Sequence, residues 1–404
     1  MGGGQWRRGE TSALVRDPIN ILLLDTNDQM GGVVRVHLNL LRTLDRAAFG
    51  VHLACLGRGR VLSMFRAVPD VAIWPVEVGT KPRSAGSGWR ARAADACGLP
   101  VFLWNAVALA ARCRRAGIRV IHTSDKKRAL IFTALLHRLT GIPYIYHIHD
   151  RYVDYPANRR ALAGAAAVVA NSGAMREDFI RHIGPSLDRI RVVYNGVDPA
   201  DYPDDPPSTL RAELGAAPGD VLIGVASRLA PDKGQDTLLH AAARVLPAAP
   251  AARFVLVGND AIFSDNTDYV PMLRRLAADT GIAARTHFVG YRADMANIYR
   301  GLDVVVNTAW REAFGMVVVE GMACGKPVVG TAAGGIPEII TDGRDGFLFP
   351  VRDDAALAGI LADLTRDVAL RARVGAAARA TVLERFTIQV QARAIETVYR
   401  EVAG

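Results

Sequence analysis

The feature that most limits how this chain can fold is a double series of short β-branched runs, most of them followed by an amphipathic, Ala/Leu/Arg-rich stretch. Seven runs come first, at 19–26 (INILLLDT), 51–56, 71–76, 120–124, 144–149 (YIYHIH), 167–171 and 190–198. Six more follow, at 221–229, 252–259, 286–291, 303–308, 327–331 and 346–350. Apolar runs alternating with helical stretches are the pattern of βαβ units around a parallel sheet covered on both faces. Between the two series, 201–220 is rich in Pro, Asp and Gly with one short helical segment, and reads as a linker. The expectation is α/β: two Rossmann-like, doubly wound domains in tandem, which a length of 404 residues accommodates. Ligands of open parallel sheets sit at the carboxyl ends of the strands, so an interdomain cleft is the expected site. The region from about 355 onward reads as helical, and no repeat of 20–50 residues indicates a solenoid.

Charge and cysteine usage narrow the partners. Residues 1–195 carry 28 Lys+Arg against 14 Asp+Glu, a net of +14, and the remainder a net of −5. A basic first half can face anionic lipid, a phosphate-bearing acceptor, nucleic acid, or simply solvent. Residues 1–17 are Gly- and Arg-rich without an apolar core and read as a disordered tail, not a signal peptide. The longest nearly uncharged apolar stretch, Leu99–Ala111, is too short to span a bilayer and reads as a buried helix. Cys55, Cys97, Cys113 and Cys324 form no CxxC pair and no metal-ligand cluster. That fits a reducing cytoplasm, each cysteine a small core residue, and no metal site.

Three glycine-containing turns follow strand runs and open helical ones. In NDQMGGVVRVHLNLL, Gly31 and Gly32 let backbone approach a ligand at a helix N-terminus, although the turn lacks the GxGxxG fingerprint. In SRLAPDKGQDTLL, Arg228 and Lys233 stand five apart in a loop, an arrangement able to hold a diphosphate or merely to be solvated. In REAFGMVVVEGMACGKPVVGTAAGGIPE, the helix should begin near Met316, placing Glu312 in the preceding loop and Glu320 about one turn inside. The two carboxylates are then no same-face pair; at different depths they can accept hydrogen bonds from the diols of two different sugars. The amides at that helix N-terminus would face a phosphate. In YIYHIHD, His147 and His149 share a strand face; a hydrogen-bonding His149 near the strand end and a satisfied core histidine are both open readings.

Taken in order, R-x4-K followed by FVGYRADMANIYRGLDVVVNTAWREAFGMVVVEGMACGKPVVGTAAGGIPEII closely resembles the retaining glycosyltransferases of the GT-B fold. More narrowly it resembles the family 4 group of bacterial lipid and glycan glucosyl-, mannosyl- and N-acetylglucosaminyltransferases. NS at 171–172 and NGVD at 195–198 extend the likeness along nearly the whole chain, loosely in the first half. The resemblance implies an acceptor domain at 18–200, a nucleotide-sugar domain at 201–386, and a terminal helix, 387–404, crossing back to the first. It implies that Glu320 binds ribose hydroxyls, that Glu312 with Phe314, Gly315, Met316 and Val317 holds the donor sugar, and that Arg228 and Lys233 hold the diphosphate. Gly31 and Gly32 would approach the phosphate from the other domain, and His149 the sugar. The implied activity is metal-independent hexosyl or N-acetylhexosaminyl transfer from a UDP- or GDP-sugar, without a further cofactor. The acceptor would be a glycan, a lipid-linked molecule or a small molecule, at a cytoplasmic site or peripherally at the inner membrane face.

Two departures stand out. Gly258-Asn259-Asp260 and the polar loop AIFSDNTDY replace the family's Gly-x-Gly-Pro, and Asn307-Thr308 replaces Pro-Ser. A nucleotide-sugar epimerase or phosphorylase of the same fold is a rival, against which the intact E-x7-E, R-x4-K and Gly-Gly elements argue. A non-catalytic nucleotide-sugar-binding protein is another. A nucleic-acid binder has charge alone in its favour, and no nucleic-acid partner is expected.

Overall fold

The computed structural model describes residues 17–27, 31–56, 59–76, 89–124, 127–150, 156–183, 190–259 and 268–404, without the side chains of 89–98, 127, 156 and 157. The tail reading of 1–17 thus falls almost wholly outside it, and the loop 260–267 wholly so. The strand runs all form strands. The first sheet contains β1 (Ile19–Asp25), β2 (Phe49–Cys55), β3 (Ala72–Pro75), β4 (Ile118–Ser124), β5 (Tyr144–Ile148), β6 (Ala167–Ala170) and β7 (Ile190–Val192). They lie in the order β3-β2-β1-β4-β5-β6-β7, every pairing parallel.

The second sheet contains β8 (Val221–Ala226), β9 (Ala252–Val257), β10 (Thr286–Gly290), β11 (Val304–Asn307), β12 (Val328–Thr331) and β13 (Phe347–Phe349). Their order is β10-β9-β8-β11-β12-β13, again parallel throughout. Both orders reverse direction beside the first strand of their series, at β1/β4 and β8/β11, which is where a doubly wound sheet opens a crevice.

The runs are continuous rather than alternating because helices cover both faces. Ile21 to Leu24 and Val304 to Val306 are all at most 1% exposed. The run 190–198 contributes less strand than its composition indicates. Only Ile190–Val192 pairs in the sheet, and the chain then leaves it to meet the carboxyl-terminal segment. There Val197 bridges Thr387, and Val197 N–H donates to Phe386 O at 2.9 Å.

The last helix, Ile388–Ala403, does cross back. Its apolar stripe, Ile388, Ala392, Ile395, Val398 and Tyr399, is buried, and Ala392, Ile395, Val398 and Tyr399 join a core cluster with Leu23, Leu38, Leu41 and Phe49 of the first sheet's unit. Thr387 caps it, its hydroxyl accepting from Val390 N–H at 3.2 Å. The linker 201–220 holds one short helix, Leu210–Glu213.

One expectation fails in part. The stretch Leu99–Ala111 is helical, within Trp89–Arg115, but it is buried on one face only: Leu99, Val101, Leu103, Trp104 and Val107 are exposed.

Candidate functional site

The site is built where turns at the carboxyl ends of the two sheets meet. The helix Gly32–Thr43 follows β1, and Gly31 and Gly32 stand exposed at its start. A Cβ on either would meet no atom within 4 Å, so these glycines leave open space at the helix N-terminus. In the second unit, Gly315 enters the helix Met316–Ala323 with φ +114°, a conformation that favours glycine. The helix starts at Met316 as its sequence indicates.

Glu320 lies one turn inside that helix and is 6% exposed. Its Oε1 accepts from Arg35 of the first unit at 2.5 Å, and its Oε2 from the buried Tyr299 hydroxyl at 2.7 Å. Burial pushes the Glu320 carboxyl above the usual range, with Arg35 and the Tyr299 hydroxyl opposing that shift. Burial and the adjacent carboxylate together push the Tyr299 hydroxyl well up, so it stays a donor. A cavity of about 310 Å3 flanks Arg35, lined also by Asn39, Arg42, Asp201, Tyr202 and Asp294.

Glu312 lies in the loop before the helix, nearer the surface, and its Oε2 accepts from Lys233 Nζ at 2.9 Å. Backbone links hold these loops in register: Trp310 N–H donates to Asp232 O at 3.0 Å, and Thr308 Oγ1 to Lys233 O at 2.7 Å. Gly334 is packed so closely that a Cβ would come within 2.0 Å of the Glu312 carbonyl oxygen. The R-x4-K loop and the E-x7-E loop therefore meet through Lys233. Arg228, in the same loop, is more than half exposed and stands 3.6 Å from Asp232.

Phe314 presents backbone at the turn while its ring is buried against Tyr194 and Phe386. Val317 is half-buried against the same cluster. His149 lies just past the end of β5, its ring 3.9 Å from that of His147, which is wholly buried. Burial, with repulsion from His37, lowers the His149 imidazole to about 3, so it is neutral at ordinary pH. His147 thus takes the core reading, while His149 is partly buried at the carboxyl end of the strand.

Sequence reading missed Arg35, Tyr299, Ser172 as an interdomain donor, and Glu338. Glu338 caps the helix Gly173–Ile183 across the interface, accepting from Gly173 N–H and Ala174 N–H, both at 2.7 Å. Ser172 Oγ donates to Ala313 O at 2.6 Å, joining the NS dipeptide to the E-x7-E loop. Only the glutamate after GGIP could have hinted at this, by lying beside a glycine turn. Among the described residues, no group of three or more His, Cys, Asp or Glu side chains is placed to share a metal ion.

Two family descriptions match in tandem: Glycosyltransferase Family 4 over residues 30–201 and Glycosyl transferases group 1 over 208–381. A D-inositol 3-phosphate glycosyltransferase of Frankia alni is 33% identical over 289 residues, covering 69% of this chain and 67% of that one. The chain belongs to the group 1, family 4-like glycosyltransferases. A second D-inositol 3-phosphate glycosyltransferase, from Streptomyces avermitilis, is 36% identical over 245 residues, 59% of this chain. The match spans 52% of that relative and 58% of the one from Stackebrandtia nassauensis, little more than half their lengths.

Among solved structures, the Anabaena protein HepE in complex with UDP and glucose superposes with a TM-score of 0.76 at 27% identity, covering 95% of this chain and 99% of that one. A glycosyltransferase from Rickettsia africae superposes at 0.80 over 96% of this chain and 99% of its own, with 20% identity, which bears on the fold alone. The two-sheet arrangement is thus the GT-B fold of this family, with Glu312 and Glu320 in its E-x7-E segment.

Proposed function

We propose that the chain is a retaining, metal-independent glycosyltransferase, moving a hexose or N-acetylhexosamine from a UDP- or GDP-sugar to a hydroxyl of a glycan, a lipid-linked molecule or a small molecule. The observation that carries this is the meeting of Glu312, Lys233, Glu320 and the Gly31-Gly32 helix start across one interdomain cleft. HepE's complexes with UDP and with UDP-glucose support a uridine donor as the first to test. The inositol phosphate named for the relatives supports a phosphate-bearing small acceptor as one candidate. Three buried free cysteines, Cys55, Cys113 and Cys324, fit a reducing cytoplasm.

On this reading the ribose hydroxyls take the place on Glu320 that the Arg35 guanidinium fills, and Tyr299 keeps the carboxylate oriented. Glu312 accepts from the hydroxyls of the transferred sugar. Arg228, Lys233 and the amides of the two helix N-termini face the diphosphate, stabilising it as it leaves the anomeric carbon. By analogy with oxyanion-hole donors, each is worth roughly 3 kcal/mol in the transition state. The neutral His149 serves as a hydrogen-bond partner for the sugar rather than as an acid. Retention is what the family resemblance implies; on this reading the acceptor attacks on the face the diphosphate leaves, without a covalent intermediate on the protein.

Calorimetric titration with UDP and GDP, followed by transfer assays with their sugars and NMR of the anomeric product, tests this. Lys233→Ala and Glu320→Ala should each lower kcat/KM by on the order of a hundredfold. Near-normal transfer by both variants would sink the site assignment. Conversion of the donor to an epimeric sugar without any acceptor would point to an epimerase instead.

A further inference from the structure

The helix Trp89–Arg115 is longer than the sheet it covers. Its 27 residues extend about 40 Å at the α-helical rise. The strand it leads into, β4, has 7 residues and spans about 23 Å. The helix ends at Arg115, just before β4 starts at Ile118, so the excess length projects from the opposite edge, where the strands end and the cleft opens.

Where the helix meets the sheet it is buried at Ala106, Leu109, Ala110 and Cys113, and Phe102 packs on Phe132 with ring centroids 5.1 Å apart. Beside that face runs a second apolar row, Leu99, Leu103 and Val107 at four-residue intervals, with Trp104 in the next row. Their exposures are 55%, 45%, 54% and 73%, and Val101 is exposed as well. These five are more than half of the nine large apolar side chains exposed among the described residues. Scattered exposed apolar residues need no explanation, but a contiguous row does.

No helix among the described residues is long and apolar enough to cross a membrane. Arg112, Arg114 and Arg115 follow the apolar row and are exposed. We propose that this face docks on an anionic bilayer, Leu99, Leu103, Trp104 and Val107 entering the interfacial layer and the arginines meeting lipid headgroups. Charge complementarity selects that occupant, since the half of the chain that presents the row carries a net charge of +14. A second copy would set that same positive surface against itself, and a nucleic acid has no partner for an aliphatic row. A tryptophan at the margin of such a row matches the interfacial preference of its amphipathic ring. Lipid docking by this face is separable from donor binding at the cleft.

Flotation of the full chain with phosphatidylcholine vesicles, with and without phosphatidylglycerol, is the test. Binding should require the anionic lipid, weaken as salt rises, and fall roughly tenfold or more in the Leu103→Glu/Trp104→Glu double variant. Because both residues are exposed, the variant's melting temperature and UDP affinity should equal those of the parent chain. Absence of parent-chain binding at low salt, or equal binding by the double variant, overturns the proposal. So does a dimer in light scattering that the double variant dissolves, which would put a second copy on this face.

Discussion

At the residue scale, the E-x7-E segment is organised by what each glutamate meets. Glu312 and Glu320 differ in depth, so one faces Lys233 near the surface and the other Arg35 and Tyr299 in a buried setting. Two of the glycines beside them are closely packed, Gly334 and Gly335 against the backbone of 312–314. Gly334 has φ +59°, and its missing Cβ leaves room for the Glu312 carbonyl oxygen. Gly334→Ala should displace the Glu312 loop, lowering stability by about 1–3 kcal/mol. Donor affinity should fall with it, and urea unfolding alongside UDP titration checks both.

At the element scale, two chain crossings join the units. Residues 195–198 leave the first sheet while 386–388 return to it, and the two segments bond to each other. Gly196 permits the contact: a Cβ there would stand 2.3 Å from the Thr387 carbonyl oxygen. Its N–H donates to Gln391 Oε1 at 3.1 Å, which ties the crossing to the last helix. Gly196→Ala should force the crossings apart and cost about 1–3 kcal/mol, read as a lower urea midpoint. An unchanged midpoint would show that the crossing tolerates separation. The glycine of NGVD was visible in the sequence, but its partner lies 191 positions away and carries no local signal.

At the scale of the whole molecule, a buried row of histidines couples the first unit to pH. His122 accepts or donates to the Tyr399 hydroxyl of the last helix at 2.7 Å and stands 3.2 Å from His147. Burial lowers His122 and His147 well below the usual imidazole range, with mutual repulsion adding to it, and lowers His149 to about 3. The folded chain thus binds fewer protons than the unfolded one below about pH 6.5. These histidines disfavour the native state increasingly as pH falls from there, by roughly 1.4 kcal/mol per pH unit for each. Melting temperature should therefore drop steeply from pH 7 to pH 5, and a flat profile over that range would contradict the burial argument.

What the sequence determined by itself was local and periodic. The strands, the glycine turn before Met316, the amphipathic last helix and the two-sheet plan all follow from patterns a few residues long, because backbone geometry repeats over two or about four residues. Tertiary structure decided three things that no such pattern encodes. It put Arg35 on Glu320 across 285 positions and Glu338 on the helix start at Gly173 across 165. It also left one side of the apolar stretch 99–107 uncovered while the other side packs into the core. Pairing and exposure depend on which surfaces meet once the two sheets are placed, and a composition that can be buried does not say whether anything arrives to bury it.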